Sequence, residues 1–336
     1  MSKIAVIGAG AWGTGIAIVL GRKGTHRVRL WARETEVCES ITRQRVNEKF
    51  LPGCLIPDSV AASNDLATTL EGAQIVVSVM PSQHCRALFE RMRSMIPPQT
   101  LIVSATKGLE EGSLERMTAV ISQVLQRDGS TSAVGALSGP SFAREVARGD
   151  PTAITIASGN DALLRIVQQE FSDPSFRVYT NSDVIGVELG GALKNVVAIA
   201  AGICHGLGLG HNSVAALITR GLAEMTRLVV ACGGRAETMA GLAGLGDLVL
   251  TCTGGLSRNR SVGVELGRGC KLPEILAGMH GMVAEGIFTT TAAVGLAHAQ
   301  RVEMPITTQM HAILYEGKSP REAIRELMAR SGKSER

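Results

Sequence analysis

The stretch that decides the fold is Ile4-Ala-Val-Ile7-Gly8-Ala-Gly10-Ala-Trp12-Gly13, followed without a break by apolar helix formers as far as Leu20. It reads as a strand, a glycine-spaced turn and a helix spanning Trp12 to Leu20. The pyrophosphate of a dinucleotide needs that order. Gly8 permits the tight turn, Gly10 lets the backbone approach the diphosphate, and Gly13 lets the helix pack closely on the strand. The unpaired N–H groups at the helix start then face the anion.

Outward from this motif, β-branched apolar runs alternate with helical patterns. The runs are 28–31, 74–80, 100–104, 133–137, 153–156 and 176–179. Continuous apolar strands alternating with helices predict a Rossmann-type, doubly wound, mostly parallel sheet. From Ser182 the strand signals stop. Helical spacing covers 183–202, 213–232, 289–300 and 306–316, and a last helix is marked by Ser319 as N-cap, Pro320 in the first turn and Glu322 as capping-box partner. The expectation is an α/β chain: a dinucleotide-binding domain over 1–182, an all-helical substrate and catalytic domain over 183–330, and a flexible tail over 331–336.

A chain of 336 residues with 45% apolar content can bury two cores. Lys and Arg exceed Asp and Glu by only 34 to 30, and 3% of residues are aromatic, so no basic stripe or stacking platform points to nucleic acid. A small anionic ligand fits better. The seven cysteines form no C-x-x-C pair and no cluster with histidine, so neither a disulfide framework nor a zinc site is suggested and a reducing cytoplasm is expected. The first strand begins by Ile4, leaving no room for a signal peptide, and no apolar run is expected to span a membrane. The nearest approach, 196–210, is interrupted by His205 and glycines.

The candidate chemistry lies in both halves. Arg33, at the end of the second strand, suits the 2′-phosphate of NADPH, with Glu34 beside it either facing solvent or weakening that preference. Lys107 follows a buried strand and precedes a glycine, a position from which it reaches a phosphate or a substrate oxygen. Ser138-Gly139-Pro140-Ser141-Phe142-Ala143 repeats the turn-into-helix design. Lys194 stands in the most apolar helix of the chain, next to Asn195 and one turn beyond Gly190 and Gly191, which are expected to clear space beside it. A partly desolvated amine there reads as a general acid/base. Asp247 can orient Lys194 or accept a substrate hydroxyl, with Thr251 one helical turn beyond. Ser257-Arg258-Asn259-Arg260 concentrates guanidinium and amide groups suited to a phosphate. Glu285, in Val283-Ala284-Glu285-Gly286, is placed to accept from a ribose or amide.

These segments together resemble the bacterial NAD(P)-dependent glycerol-3-phosphate dehydrogenase family. The likeness runs through GAGAWGT (8–14), SATKG (104–108), SGPSFAREVA (138–147), ELGGALKNVVAIAAG (188–202), ALITRGLAEM (216–225), GLAGLGDLVLTCT (241–253), LSRNR (256–260) and VAEG (283–286). The resemblance implies reversible reduction of dihydroxyacetone phosphate to sn-glycerol 3-phosphate by NADPH or NADH, supplying phospholipid synthesis. It further implies cofactor contacts at Trp12, Arg33, Lys107, Ala143, Arg258, Val283 and Glu285. Substrate contacts fall at Lys107, Gly139, Ser141, Asp247, Ser257, Arg258 and Asn259, with Lys194 as proton acceptor. Gly15, Ser141 and His211 depart from the usual pattern, and His211 puts the polar contacts of its loop in question. A homodimer is expected from the helical half. Two other readings compete: a β-hydroxyacid or ketopantoate-type reductase, whose substrate carries a carboxylate, and a non-catalytic NAD(P)H sensor, for which the Lys194 and Asp247 set has no use.

Overall fold

The computed structural model describes residues 2–127, 129–279, 283–332 and 334. Eight strands form one sheet: β1 (Ser2–Ile7), β2 (His26–Trp31), β3 (Val60–Ser63), β4 (Ile75–Ser78), β5 (Leu101–Ser104), β6 (Val134–Ser138), β7 (Thr152–Ala157) and β8 (Phe176–Asn181). Their spatial order is β8-β7-β6-β5-β4-β1-β2-β3. The first six follow the doubly wound arrangement in which strand order reverses beside β1, and that reversal opens a crevice at the carboxyl ends of the strands. All neighbours run parallel except β6 and β7, which are antiparallel. Two elements escaped the sequence reading: the edge strand β3, and a small hairpin of Val46–Asn47 with Leu51–Leu55.

The pleat explains why β1 is apolar on both faces. Ile4 and Val6 join a core with the helix Ala11–Arg22, whereas Ala5 and Ile7 join a second core with the helices Cys85–Met92 and Met117–Gln126. The register sets Ile7 opposite Trp31 and Ser78, and Ser78 opposite Ser104, so β1, β2, β4 and β5 end level at the crevice.

The second half is built around the helix Val184–Gly206, buried from Gly186 to Cys204. Asp183 caps it, accepting from the Gly186 N–H at 2.8 Å. It is longer than the sequence pattern suggested. By length and composition it could cross a membrane, contrary to expectation, but 83% of its apolar window is buried inside the fold. The helices His211–Ala231, Asp247–Thr253, Arg258–Gly267, Glu285–Ala299 and Pro305–Tyr315 pack around it. Its closest neighbour is Arg258–Gly267. A Cβ at Gly202 would lie 2.1 Å from the Arg260 carbonyl oxygen, and one at Gly263 would lie 2.0 Å from that of Ile199, so only glycine lets the two backbones meet. The last helix, Pro320–Met328, begins as expected with the Ser319 hydroxyl accepting from the Glu322 N–H at 3.2 Å. The tail expected over 331–336 falls partly outside the described residues.

Candidate active site

At the crevice the three motif glycines take three different roles. Gly8 has φ +120°, and a Cβ there would meet the Val79 carbonyl oxygen at 2.2 Å. A Cβ at Gly13 would stand 1.8 Å from the Gly8 carbonyl oxygen, so this glycine seats the helix on the turn. Around Gly10, by contrast, nothing lies within 4 Å of the position a Cβ would take. The helix Ala11–Arg22 has no side-chain cap and no acidic residue in its first turn, leaving its terminal N–H groups for an anion. The Trp12 indole Nε1 is buried without a hydrogen-bond partner. An open cradle, free helix-start donors and an unpartnered indole fit a dinucleotide pyrophosphate. At the ribose end, Arg33 is exposed and donates through Nη2 to Glu34 Oε1 at 2.6 Å. Glu34 thus turns toward Arg33 rather than to solvent.

Asp247 lies where the two halves meet and binds two lysines. Lys194 Nζ donates to Asp247 Oδ1 at 2.5 Å and to Thr251 Oγ1 at 2.8 Å, while Lys107 Nζ donates to Asp247 Oδ2 at 2.6 Å. Lys194 comes from the central helix, Lys107 from the loop after β5, and Asp247 from the start of the helix Asp247–Thr253, which follows a π-helical turn over Leu242–Gly246. Thr251, one turn on, donates to the Asp247 carbonyl at 2.6 Å and so holds its oxygen toward Lys194. Lys107 also reaches the Gly139 carbonyl at 3.3 Å, which accepts from Ser141 Oγ at 2.9 Å. Burial pushes the Lys194 ammonium down to about 8; Asp247 opposes this and Lys107 assists it. Burial pushes the Asp247 carboxyl up, but the two ammonium groups outweigh it and hold the carboxyl below its usual range.

Gly190 and Gly191 do not clear space for a ligand, as the sequence suggested. A Cβ at Gly190 would meet the Ala243 carbonyl oxygen at 2.7 Å, and one at Gly191 would meet Ser138 Oγ at 2.4 Å. They bring the segment before Asp247 and the end of β6 against the central helix, which is how Lys107 comes to stand beside Lys194.

Ser257 caps the helix Arg258–Gly267 by accepting from the Arg260 N–H at 3.2 Å. Arg258, first in that helix, is exposed. Asn259 is buried and largely committed: its amide nitrogen donates to Asn195 Oδ1 at 2.9 Å, and its oxygen accepts from the Gly286 N–H at 2.9 Å. It therefore ties three helices together, and one amide N–H is left for a ligand. Glu285 crosses the crevice, accepting from Ser82 Oγ at 2.7 Å and from the Ser82 N–H at 3.3 Å. Burial pushes its carboxyl up to about 7 despite those bonds and the nearby Arg258. Ser82 stands two residues beyond the apolar run 74–80, at the carboxyl edge of the sheet, and its pairing with Glu285 is what sequence reasoning missed. Val283 is half-buried just ahead of Glu285, Ala143 opens the six-residue helix Ala143–Arg148 that packs on Ala11–Arg22, and His211 is exposed at the start of its helix.

A doubly wound nucleotide domain whose strand ends face a buried lysine–carboxylate cluster on a helical domain defines a two-domain, nicotinamide-dependent dehydrogenase. Residues 3–164 match the family described as NAD-dependent glycerol-3-phosphate dehydrogenase N-terminus, and residues 183–325 match the C-terminus of the same family. The chain belongs to the NAD-dependent glycerol-3-phosphate dehydrogenase family. It is 66% identical over 335 residues to the glycerol-3-phosphate dehydrogenase [NAD(P)+] of Koribacter versatilis, covering 100% of this chain and 99% of that protein. The crystal structure of glycerol-3-phosphate dehydrogenase from Coxiella burnetii superposes with a TM-score of 0.93 at 43% identity, covering 98% of this chain and 99% of that one. A ketopantoate reductase from Ralstonia eutropha gives a TM-score of 0.63 at 16% identity over 96% of this chain and 99% of that one, a likeness of fold alone.

Proposed function

We propose that Lys194 is the proton donor and acceptor in the reversible, NAD(P)H-dependent reduction of dihydroxyacetone phosphate to sn-glycerol 3-phosphate. The observation that carries this reading is the buried amine held between Asp247 and Thr251, with Lys107 on the far carboxylate oxygen. The Gly8-to-Gly13 turn, Trp12 and Glu285 would hold NAD(P)H, which when bound would supply the hydride. In reduction Lys194 gives its proton to the carbonyl oxygen; in oxidation it takes the hydroxyl proton back. An amine near 8 serves both directions close to neutral pH. Asp247 stays ionised and fixes the direction in which Lys194 points, and Lys107 presents a second positive charge to the same oxygen. The substrate phosphate falls to Arg258 and to the N–H groups at the start of its helix, with Asn259, Ser141 and Gly139 shaping the pocket.

In this reading residues 1–182 carry the cofactor and 183–330 carry the amine and the phosphate clamp. Seven free thiols, four of them buried, support a reducing, cytoplasmic setting. The enzyme works as a homodimer paired through its helical half, which sedimentation tests. Lys194→Ala is expected to abolish turnover while NADPH still binds, read by absorbance at saturating cofactor and by fluorescence titration. Retained turnover would overturn the assignment.

A further inference from the structure

Residues 109–116 leave the sheet immediately after Lys107 and Gly108 and enter the helical half. Leu109 is 1% exposed and belongs to the same apolar cluster as Leu189, Ala192 and Leu193 of the central helix. Leu114 packs against that cluster and against the helix Glu285–Ala299, where a Cβ at Gly295 would come within 3.2 Å of it. The segment closes on itself through an antiparallel bridge of Leu109 with Arg116 and a bond from the Glu110 N–H to the Glu115 carbonyl at 3.0 Å. Lys107 is thus rooted in an arm that is embedded in the other domain.

One buried carboxylate locks the base of this arm. Glu188 stands on the central helix six residues before Lys194 and is 9% exposed. It accepts from the Thr118 N–H at 2.8 Å, from the Thr118 hydroxyl at 2.5 Å and from Arg116 Nη1 at 2.6 Å. Thr118 lies in the first turn of the helix Met117–Gln126, where free N–H groups and the helix dipole favour a negative charge. The proton transfer assigned above makes no use of this group.

We infer that Glu188 is a positioning residue: by gripping Arg116 and Thr118 it keeps the 109–116 arm seated and so holds Lys107 against Asp247. The inference rests on the reading of Lys194 given above. Asp247, Lys107 and the buried Cys252 are the titratable groups around Lys194. Of these Asp247 raises its pKa and Lys107 lowers it, so an arm that loosens and withdraws Lys107 lets the Lys194 pKa climb above about 8.

The test is the pH dependence of kcat/KM for glycerol 3-phosphate oxidation, which reports the free enzyme. It is measured for the wild type and for Lys107→Ala, Glu188→Gln and Arg116→Gln, with NADPH affinity and Tm alongside. Lys107→Ala is expected to move the limb near pH 8 upward by about one unit. Glu188→Gln and Arg116→Gln should move it in the same direction with NADPH affinity unchanged, and Arg116→Lys should restore it. Arg116, with a side chain 26% exposed, keeps the test open if the Glu188 variant fails to fold. An unmoved limb in Lys107→Ala would refute the Lys194 reading itself. A moved limb in Lys107→Ala, with both clasp variants unmoved and only less stable, would make Glu188 purely structural and overturn the inference.

Discussion

Asp247→Asn isolates the electrostatics of the site. The carboxylate is 1% exposed and takes ammonium groups at 2.5 and 2.6 Å on its two oxygens. At the effective dielectric of about 20 that suits protein sites, opposite charges about 4 Å apart attract by about 4 kcal/mol. Measured shifts from one opposite charge within hydrogen-bonding reach run to about 1–3 pKa units, or about 1.4–4 kcal/mol. The asparagine removes the attraction that raises the Lys194 pKa and leaves the Lys107 repulsion that lowers it unopposed. From about 8 in the wild type, Lys194 should fall by about 1–3 units. The assay is kcat/KM for dihydroxyacetone phosphate reduction from pH 5 to 9, at a temperature where circular dichroism shows the variant folded. That precaution is needed because stranding the buried Lys194 ammonium costs about 3–5 kcal/mol of stability. The reduction needs the protonated amine, so its alkaline limb should move down with Lys194. A limb that stays near pH 8 in a folded variant would show that Lys194 is not the titrating acid.

Arg258→Ala should raise KM for dihydroxyacetone phosphate by about ten- to 150-fold, the loss of a charge-assisted hydrogen bond worth about 1.5–3 kcal/mol; an unaltered KM places the phosphate elsewhere. Gly13→Ala drives a methyl group into the Gly8 carbonyl and should weaken NADPH binding by about tenfold or more in a fluorescence titration, whereas normal affinity would mean that the pyrophosphate avoids this turn. Glu34→Gln releases Arg33 and should raise the NADPH-to-NADH ratio of kcat/KM by about two- to fivefold, the scale of an exposed ion pair. Arg33→Asp should reverse that ratio, and relative kinetics indifferent to both changes would remove Arg33 from cofactor choice.

The parts of the molecule legible in the sequence are those set by local pattern. β1 and its glycine turn could be read because the glycines are spaced locally between an apolar strand and an apolar helix, and the central helix because its apolar content admits no solvent face. The edge strand β3 escaped because Val60-Ala-Ala-Ser offers one β-branched residue, and the hairpin strand Leu51–Leu55 because Pro52 and Gly53 break its pattern. The reversal between β6 and β7 leaves no local trace, since both directions present the same alternation. The site residues were individually visible and the pairing of Asp247 with Lys194 was anticipated, but the second lysine on the same carboxylate was not. The Lys107–Asp247 bond joins positions 140 residues apart. Gly190 and Gly191 were misread for the same reason: their neighbours, Ala243 and Ser138, come from distant segments, and the space they seemed to open is filled by them.

The contact of Gly202 with Gly263 bears on which substrates the site accepts. Side chains between two helices can repack and let them slide, but bare backbone pressed on backbone has no slack to give. In the proposed reading, the clamp at Arg258 and the amine of Lys194 are therefore fixed at one span, and the pair would act as a gauge for the number of carbons between ester and carbonyl. A homologue of the triose with one more methylene would present its reactive carbon off the mark, and tighter grip on its phosphate would not bring that carbon back.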